Sequence, residues 1–283
     1  MFRKNSIFFK KFCLIFENKH LNSFFNVVLF KQTNRELSML PFVFKNPLVE
    51  GVIEKRKTQF TMQVNYKGES YHCHCPSTGR VGNLELSERP CLLSSSADSS
   101  RKTPFTVEAI SLNKPEDSAK KWIGINQNAA NRYVEHFLRS GDFSDMIGSE
   151  KNILREQVLG NSKLDFLVGN TYIEVKTPLL FLQTEIPDYV KTKKFAPFSA
   201  ADRMTRHLIE LGDSVAKNQR AIMLLCFIYD NPGFEVVEKS KKYYEVKKIV
   251  DENIAKGVEM WQANFKIDPV GVTLEKYFRI EIK

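Results

Sequence analysis

KLDFLVGNTYIEVK, residues Lys163 to Lys176, decides how the rest of the chain is read. Gly169-Asn170 separates two β-prone runs, and glycine at the first central position marks a two-residue type II′ hairpin. A loop of that length fixes the pairing. Val168 falls opposite Thr171, Leu167 opposite Tyr172, Phe166 opposite Ile173 and Asp165 opposite Glu174, while the period of two puts Lys176 on the same face as Glu174. Cross-strand Cβ atoms lie about 4.5–5.5 Å apart, where two carboxylates repel unless a proton or a cation sits between them. Mg2+ or Mn2+ suits two acids plus water and a substrate phosphate better than zinc does. The stretch therefore has the makings of a metal-dependent phosphodiesterase, with Asp165 and Glu174 holding metal and Lys176 assisting the attacking water or the transition state. A bare D-x(8)-E-x-K match also describes a solvated hairpin with a surface Glu-Lys pair, so the neighbouring elements carry the distinction.

Those elements come in a definite order. Ala130, Tyr133, Val134, Phe137 and Leu138 recur at helical spacing, with Asn128 able to cap the start and Gly141 marking the end. Asn152 to Leu159 reads as a strand and the hairpin supplies two more. Residues 200–217 then form a helix with Met204, Leu208, Leu211 and Val215 along one side. Ala221 to Tyr229, AIMLLCFIY, is an unbroken apolar run of strand length, as expected for a strand buried on both faces. The order α-β-β-β-α-β is that of the restriction-endonuclease-like, or PD-(D/E)xK, core, with the motif on its second and third strands. That core often takes a further acid from its first helix or first strand, and Glu135 and Glu156 are the candidates. Glu135 equally suits an ion pair with Arg139 one turn on. The second helix carries Arg203, Arg206, His207 and Glu210; its arginines, with Arg220, would clamp phosphate. The plainer alternative is a solvated face laced by i,i+4 pairs.

Upstream, Leu48 to Glu108 reads as all-β. Alternation of apolar and polar residues runs through Val52–Lys55, Phe60–Tyr66 and Ser70–Cys75, with a hairpin turn at Lys67-Gly68. A five-stranded barrel of this size is OB-like. The fold class expected is α/β with an all-β amino-terminal part, an OB-like barrel followed by the nuclease-like core. Residues 1–45 form an extension, 46–112 the OB-like domain and 113–283 the nuclease-like domain. OB surfaces hold single strands by basic grooves and aromatic platforms, and Arg56, Lys57, Phe60, Tyr71, Arg80, Arg101 and Lys102 are the candidates. In the stretch Tyr71-His-Cys-His-Cys75, alternation sends His72 and His74 to one face and Cys73 and Cys75 to the other, which does not gather one zinc sphere.

Composition agrees with a protein that faces nucleic acid. The 283 residues carry 42 Lys+Arg against 33 Asp+Glu, a net charge of +9, which favours phosphate backbones or acidic membrane surfaces and predicts salt-sensitive binding. Five cysteines, an odd number without framework spacing, point to reduced thiols and an intracellular, cytoplasmic setting. The first 40 or so residues are rich in Phe, Lys and Asn, and Lys10-Lys11 interrupts their apolar runs short of the roughly 20 residues a membrane helix needs. They read as a presequence for organellar import, as a disordered basic arm, or as translated upstream sequence with the start at Met39.

From Asn46 to its end the chain resembles the sugar fermentation stimulation protein A family of bacteria and archaea. NPLVEG (46–51), HCPSTGR (74–80), INQNAANR (125–132), KLDF with IEVK, RMTRHLIEL (203–211) and NQRAIML (218–224) carry the resemblance in the family's order. It implies an amino-terminal OB-like barrel, a carboxyl-terminal nuclease-like domain, DNA binding and a link to sugar metabolism, and it adds His74 and Arg132 to the nucleic-acid-binding residues. The chain departs from the pattern at Ser77, where the family has asparagine, and at Phe198, where an FPDA-like sequence has an acid. A family glutamate aligns with His136, leaving Glu135 one position off. Asp165, Glu174 and Lys176 match. The expected function is a DNA-binding protein whose nuclease-like domain hydrolyses phosphodiesters with Mg2+ or Mn2+. The alternative is a non-catalytic, sequence-nonspecific DNA-binding regulator, and RNA is an alternative partner because OB surfaces accept either single strand.

Overall fold

The computed structural model describes residues 40–77, 79–98, 100–194, 202–217, 219–235 and 242–281. The readings made for residues 1–38, for Met39 and for Phe198 lie outside the described residues.

After a short strand β1 (Phe42–Val43), five strands build a barrel: β2 (Val49–Thr58), β3 (Thr61–Tyr66), β4 (Glu69–His74), β5 (Pro90–Ser95) and β6 (Phe105–Ser111). They run in the order β4-β3-β2-β5-β6, and parallel pairing of Cys73 and His74 with Phe105 and Thr106 closes the ring, which is the OB-like topology expected. Lys67 and Gly68 both have positive φ, +54° and +85°, the signature of a type I′ turn whose twist matches the strands it joins. Period-two alternation sends Ile53, Met62, Val64, Cys73, Leu93 and Val107 into the interior. A further strand, β7 (Trp122–Gly124), pairs with β6, so the barrel sheet runs past the boundary drawn after residue 112.

The second part contains α1 (Gln127–Ser140), α2 (Ser144–Ile147), β8 (Ile153–Leu159), β9 (Ser162–Val168), β10 (Thr171–Lys176), α3 (Asp202–Val215), β11 (Arg220–Phe227), α4 (Tyr243–Ala255), β12 (Glu259–Ile267) and β13 (Gly271–Arg279). The predicted α-β-β-β-α-β series is present as α1, β8 to β10, α3 and β11. Two more strands and β1 enlarge the sheet to seven, in the order β1-β13-β12-β11-β10-β9-β8. Residues 42–43, grouped by sequence with the extension, are therefore an edge strand of this sheet, paired with Val272 and Gly271. The cap of α1 is also displaced from the expected Asn128. Asn126 accepts from Ala129 N at 3.2 Å, while Gly141 ends the helix at φ +86° as expected.

β11 explains why the apolar run is unbroken. Ile222, Leu224 and Cys226 pack with Ala130, Tyr133, Val134 and Phe137 of α1; Ala221, Met223, Leu225 and Phe227 pack with Leu208 and Leu211 of α3. The second of these layers is continuous with barrel residues Ile53, Met62, Val64 and Leu93, so barrel and sheet share one apolar core. Burying each large side chain there stabilises the fold by about 1.5–3 kcal/mol. The chain after β10 ties the two parts further: Gly82 N donates to Leu179 O at 2.7 Å, and Lys193 N to Asn83 O at 2.7 Å. No helix among the described residues is long and apolar enough to cross a membrane.

Gly124 marks a close approach between the two parts. Its N–H donates to Ile228 O at 2.8 Å, and a Cβ there would fall 2.3 Å from Ile228 Cγ2. Gly124→Ala is expected to lower stability by about 1–3 kcal/mol through overpacking, within one cooperative transition because the core is shared. Urea denaturation checks this, and an unchanged midpoint would show that β7 can part from β11 freely.

Candidate functional site

The hairpin folds as its turn requires. Gly169 has φ +56° and Asn170 does not take a positive φ, as in a type II′ turn, and Thr171, Tyr172 and Ile173 pair with Val168, Leu167 and Phe166. One step further the ladder stops, because the side chain of Asp165 takes the place of a backbone acceptor. Asp165 Oδ2 accepts from Val175 N at 2.8 Å, and its Oδ1 accepts from the Asn131 amide of α1 at 2.6 Å.

Glu174 is 2% exposed. Its Oε1 accepts from the ammonium of Lys176 and from His207 of α3, whose Nδ1 lies 2.5 Å away. An ionised carboxylate can only accept, so Nδ1 carries the donated proton. The second oxygen, Oε2, is buried with no hydrogen-bond partner among the described residues. Burial first, and then the charge of Glu174, push the Asp165 carboxyl above its ordinary range, against the hydrogen bonds from Val175 and Asn131 and the charge of Lys176. Asp165, Glu174 and Lys176 are thus brought together, bracketed by α1 through Asn131 and by α3 through His207. Among the described residues no group of three or more His, Cys, Asp or Glu side chains converges to hold a metal. Two carboxylates completed by water and substrate phosphate are what Mg2+ accepts, and an orphaned carboxylate oxygen fits such an ion.

The two supporting acids lie elsewhere. Glu156 falls in the register gap facing Asp165, between Arg155↔Phe166 and Gln157↔Leu164, but its φ of +54° turns the side chain outward, where it is 60% exposed and bridges Lys163 at 2.5 Å. Glu135 lies one turn beyond Asn131 on α1 and is taken up by Arg139 at 2.8 Å and Arg155 at 3.1 Å. Asn131, which the sequence reading missed, occupies the position where α1 reaches Asp165. Its only sequence signal was its place in the INQNAANR stretch.

His207, expected on the phosphate-facing side of α3, is instead 3% exposed and packed against Glu174. Arg203 and Arg206 do lie exposed on that helix. Arg220 does not join them. Its guanidinium forks onto both oxygens of Glu259, at 2.5 and 2.7 Å, and donates to Met146 O. It also sits at the turn end of the sheet, opposite Thr171, about 16 Å along the strand from Lys176. Arg56 is likewise occupied, donating to the carbonyls of Ser77 (2.6 Å), Gly79 (2.8 Å) and Gln59 (3.0 Å), which holds the loop after β4.

On the barrel, Lys57 meets His72 at 3.2 Å, Phe60 is 49% exposed, Lys102 is exposed, and Arg80 stacks over Phe181 at 5.4 Å. Tyr71 packs edge-on against Phe105 at 5.3 Å and donates to Glu69 at 2.5 Å. His74, Arg101 and Arg132 converge on one cleft of about 470 Å³ between the barrel and the start of α1. Gln127 spans the same junction: its amide donates to Thr177 O at 2.8 Å, next to Lys176, and its carbonyl accepts from Ser77 at 3.5 Å. Cys73, Cys75, Cys91 and Cys226 are buried free thiols whose pKa values desolvation raises.

Residues 128–271 match the sugar fermentation stimulation protein RE domain, and residues 55–125 match the N-terminal OB domain of the same family. A sugar fermentation stimulation protein homolog of Microcystis aeruginosa is 30% identical over 237 residues, 80% of this chain and 91% of the relative. One of Synechococcus sp. is 28% identical over 238 residues, 82% of this chain and 93% of the relative. The solved structure of Pyrococcus furiosus SfsA in complex with Ca2+ is 19% identical, covers 86% of this chain and 100% of its own, and superposes with a TM-score of 0.66, which establishes a shared fold.

The Arg220–Glu259 pair generates a pH prediction. Burial opposes ionisation of Glu259, but Arg220, aided by the Trp261 indole, holds its carboxyl below the ordinary range. A depressed carboxyl contributes stability that is present above its unfolded pKa and is lost as pH falls through the folded one. Glu259→Gln is expected to cost about 1–3 kcal/mol at neutral pH, with the gap to wild type narrowing as pH falls below the ordinary carboxylate range. Urea denaturation at neutral and acid pH checks it; a gap that persists in acid would contradict it.

Proposed function

The chain belongs to the sugar fermentation stimulation protein family, and from that premise we propose that it binds nucleic acid, DNA in the first place, and hydrolyses its phosphodiester bonds at the Asp165–Glu174 site with Mg2+ or Mn2+. The observation that carries this reading is the buried Oε2 of Glu174, without a hydrogen-bond partner among the described residues, next to an Asp165 carboxyl whose ionisation is opposed by burial and by that same glutamate. Two crowded carboxylates and an open acceptor describe a site that gains a cation. The Ca2+ of the Pyrococcus furiosus relative is a hard, oxygen-seeking ion of the same kind.

Asp165 and Glu174 would hold the cation, which when bound polarises the phosphate and acidifies water. The protein's own groups do the positioning. Asn131 and Val175 N fix both oxygens of Asp165; His207 and Lys176 fix Oε1 of Glu174, and Oε2, without a partner among the described residues, would be left for the ion. Lys176, 24% exposed, keeps an ammonium beside the pair where negative charge builds on the attacked phosphate. Arg203 and Arg206 on α3 and the basic residues of the barrel meet the backbone, and the net charge of +9 makes that contact salt-dependent.

A second reading, binding without cleavage, is favoured by one observation: both supporting acids, Glu135 and Glu156, are spent on arginine and lysine partners. Two measurements separate the readings. Mg2+ or Mn2+ at a hundredfold its Kd should stabilise the protein by about 3 kcal/mol, read as a rise in melting temperature that Glu174→Gln removes. Labelled DNA should be cut in Mg2+ or Mn2+, with cleavage lost in Asp165→Asn and Lys176→Ala while binding survives. Metal binding without cleavage of DNA or RNA would leave the regulator reading standing.

A further inference from the structure

The cleft between barrel and α1 has a chemistry the carboxylate site does not use. Its walls include His74, Arg101 and Glu108 from the barrel side and Asn128, Arg132 and Arg155 from the nuclease-like side. Glu108 is the unexpected member, a carboxylate only 5% exposed in a cavity rimmed by three arginines. It is rigidly held from both sides of the cleft. Ser94 of β5 donates to Oε1 at 2.6 Å, and the amide of Asn126, the cap of α1, donates to Oε2 at 2.7 Å. Each oxygen keeps a second lone pair, because a carboxylate offers about four acceptor sites.

A phosphate alone would meet the charge of Glu108 as well as the arginines. A ligand that is anionic at one end and a hydrogen-bond donor at the other satisfies both, and nucleotides have that polarity. The bases differ in what they present to a fixed pair of acceptor oxygens. Guanine offers N1–H and the N2 amino group side by side. Thymine and uracil offer one N–H flanked by two carbonyls, which a carboxylate repels; adenine and cytosine place their amino group beside a ring lone pair. A volume of about 470 Å³ lies in the range of small-ligand pockets.

We infer that this cleft takes one guanine nucleotide, with Glu108 accepting from N1–H and N2–H of the base and Arg101 and Arg132 turned toward its phosphates. The inference rests on the nucleic-acid reading above and adds a base preference to it. Arg132 follows directly on Asn131, the residue that holds Asp165, so a guanine seated here sets which phosphate of the strand lies near the carboxylates.

Fluorescence anisotropy in EDTA, which blocks cleavage, tests it with a short labelled oligothymidylate and the same oligomer carrying one central dG or one central hypoxanthine. The dG oligomer is expected to bind about tenfold more tightly than oligothymidylate, and hypoxanthine, which lacks the N2 amino group, to lose much of that gain. Glu108→Gln keeps the size and one oxygen to accept from Asn126, with the Ser94 hydroxyl free to turn and accept from the new amide, and should bring the dG oligomer down to the level of oligothymidylate. Guanosine monophosphate as competitor distinguishes a free nucleotide from one within a strand; competition that depends on Glu108 supports the pocket for both. Equal binding of the dG and oligothymidylate oligomers by the wild-type protein overturns the inference alone, as does a preference that survives in a folded Glu108→Gln variant. Failure of every oligomer to bind overturns the nucleic-acid reading and the inference with it.

Discussion

Two residues, Gly169 and Asn170, leave the strands they join no freedom of register, and that constraint sets two carboxylates against each other inside the protein. A slip of one position would exchange the faces of β10, taking Ile173 and Val175 out of the apolar layer under α1 and putting Tyr172 and Glu174 into it, so that layer locks the register from the other side. Asp165 and Glu174 then have no route apart. The fold manages their repulsion with local partners: two donors for Asp165, an ammonium and an imidazole for one oxygen of Glu174, and nothing among the described residues for the other oxygen. Helices α1 and α3 are positioned by the core, and each delivers one polar side chain to the pair.

The shared core gives the barrel a structural part in this site. One apolar layer runs from the barrel interior to the α3 side of the sheet, and Gly124 and Gln127 join the two parts by backbone and side-chain hydrogen bonds. The loop after β4 is held by Arg56 on one side and meets Gln127 through Ser77 on the other, while Gln127 also holds the carbonyl next to Lys176. The barrel and the hairpin that carries Glu174 and Lys176 are therefore joined by a shared core and by side-chain hydrogen bonds at the junction.

Charge is distributed less simply than the total of +9 implies. Arg56 and Arg220 spend their donors on carbonyls and on Glu259, where they stabilise the fold and offer little to a ligand. Arg101, Arg132, Arg203 and Arg206 remain exposed. Of these four, Arg132 lies on α1 and Arg203 and Arg206 on α3, the helices that also hold Asp165 and Glu174.

What the sequence determined by itself is local or periodic. The type II′ turn, the pairing of Thr171 to Ile173 with Val168 to Phe166, the twice-buried apolar strand from Ala221, the end of α1 at Gly141 and the barrel strands with their Lys67-Gly68 turn all follow from propensities and spacings within a few residues, where backbone sterics dominate. The restriction-endonuclease-like order and the OB-like barrel could be read for the same reason. Tertiary structure alone decided which charged side chains reach the site. Glu156 has the right register and a positive φ that turns it away; Glu135 is one turn too far and is captured by Arg155 from β8; Arg220 finds Glu259, and His207 is buried against Glu174, each across more than 30 residues of chain. Asn126 in place of Asn128 as the cap, and β7 and β1 in sheets outside their expected domains, belong to the same class. Long polar side chains pair with whatever the fold brings within about 3 Å, and no spacing in the sequence encodes that distance.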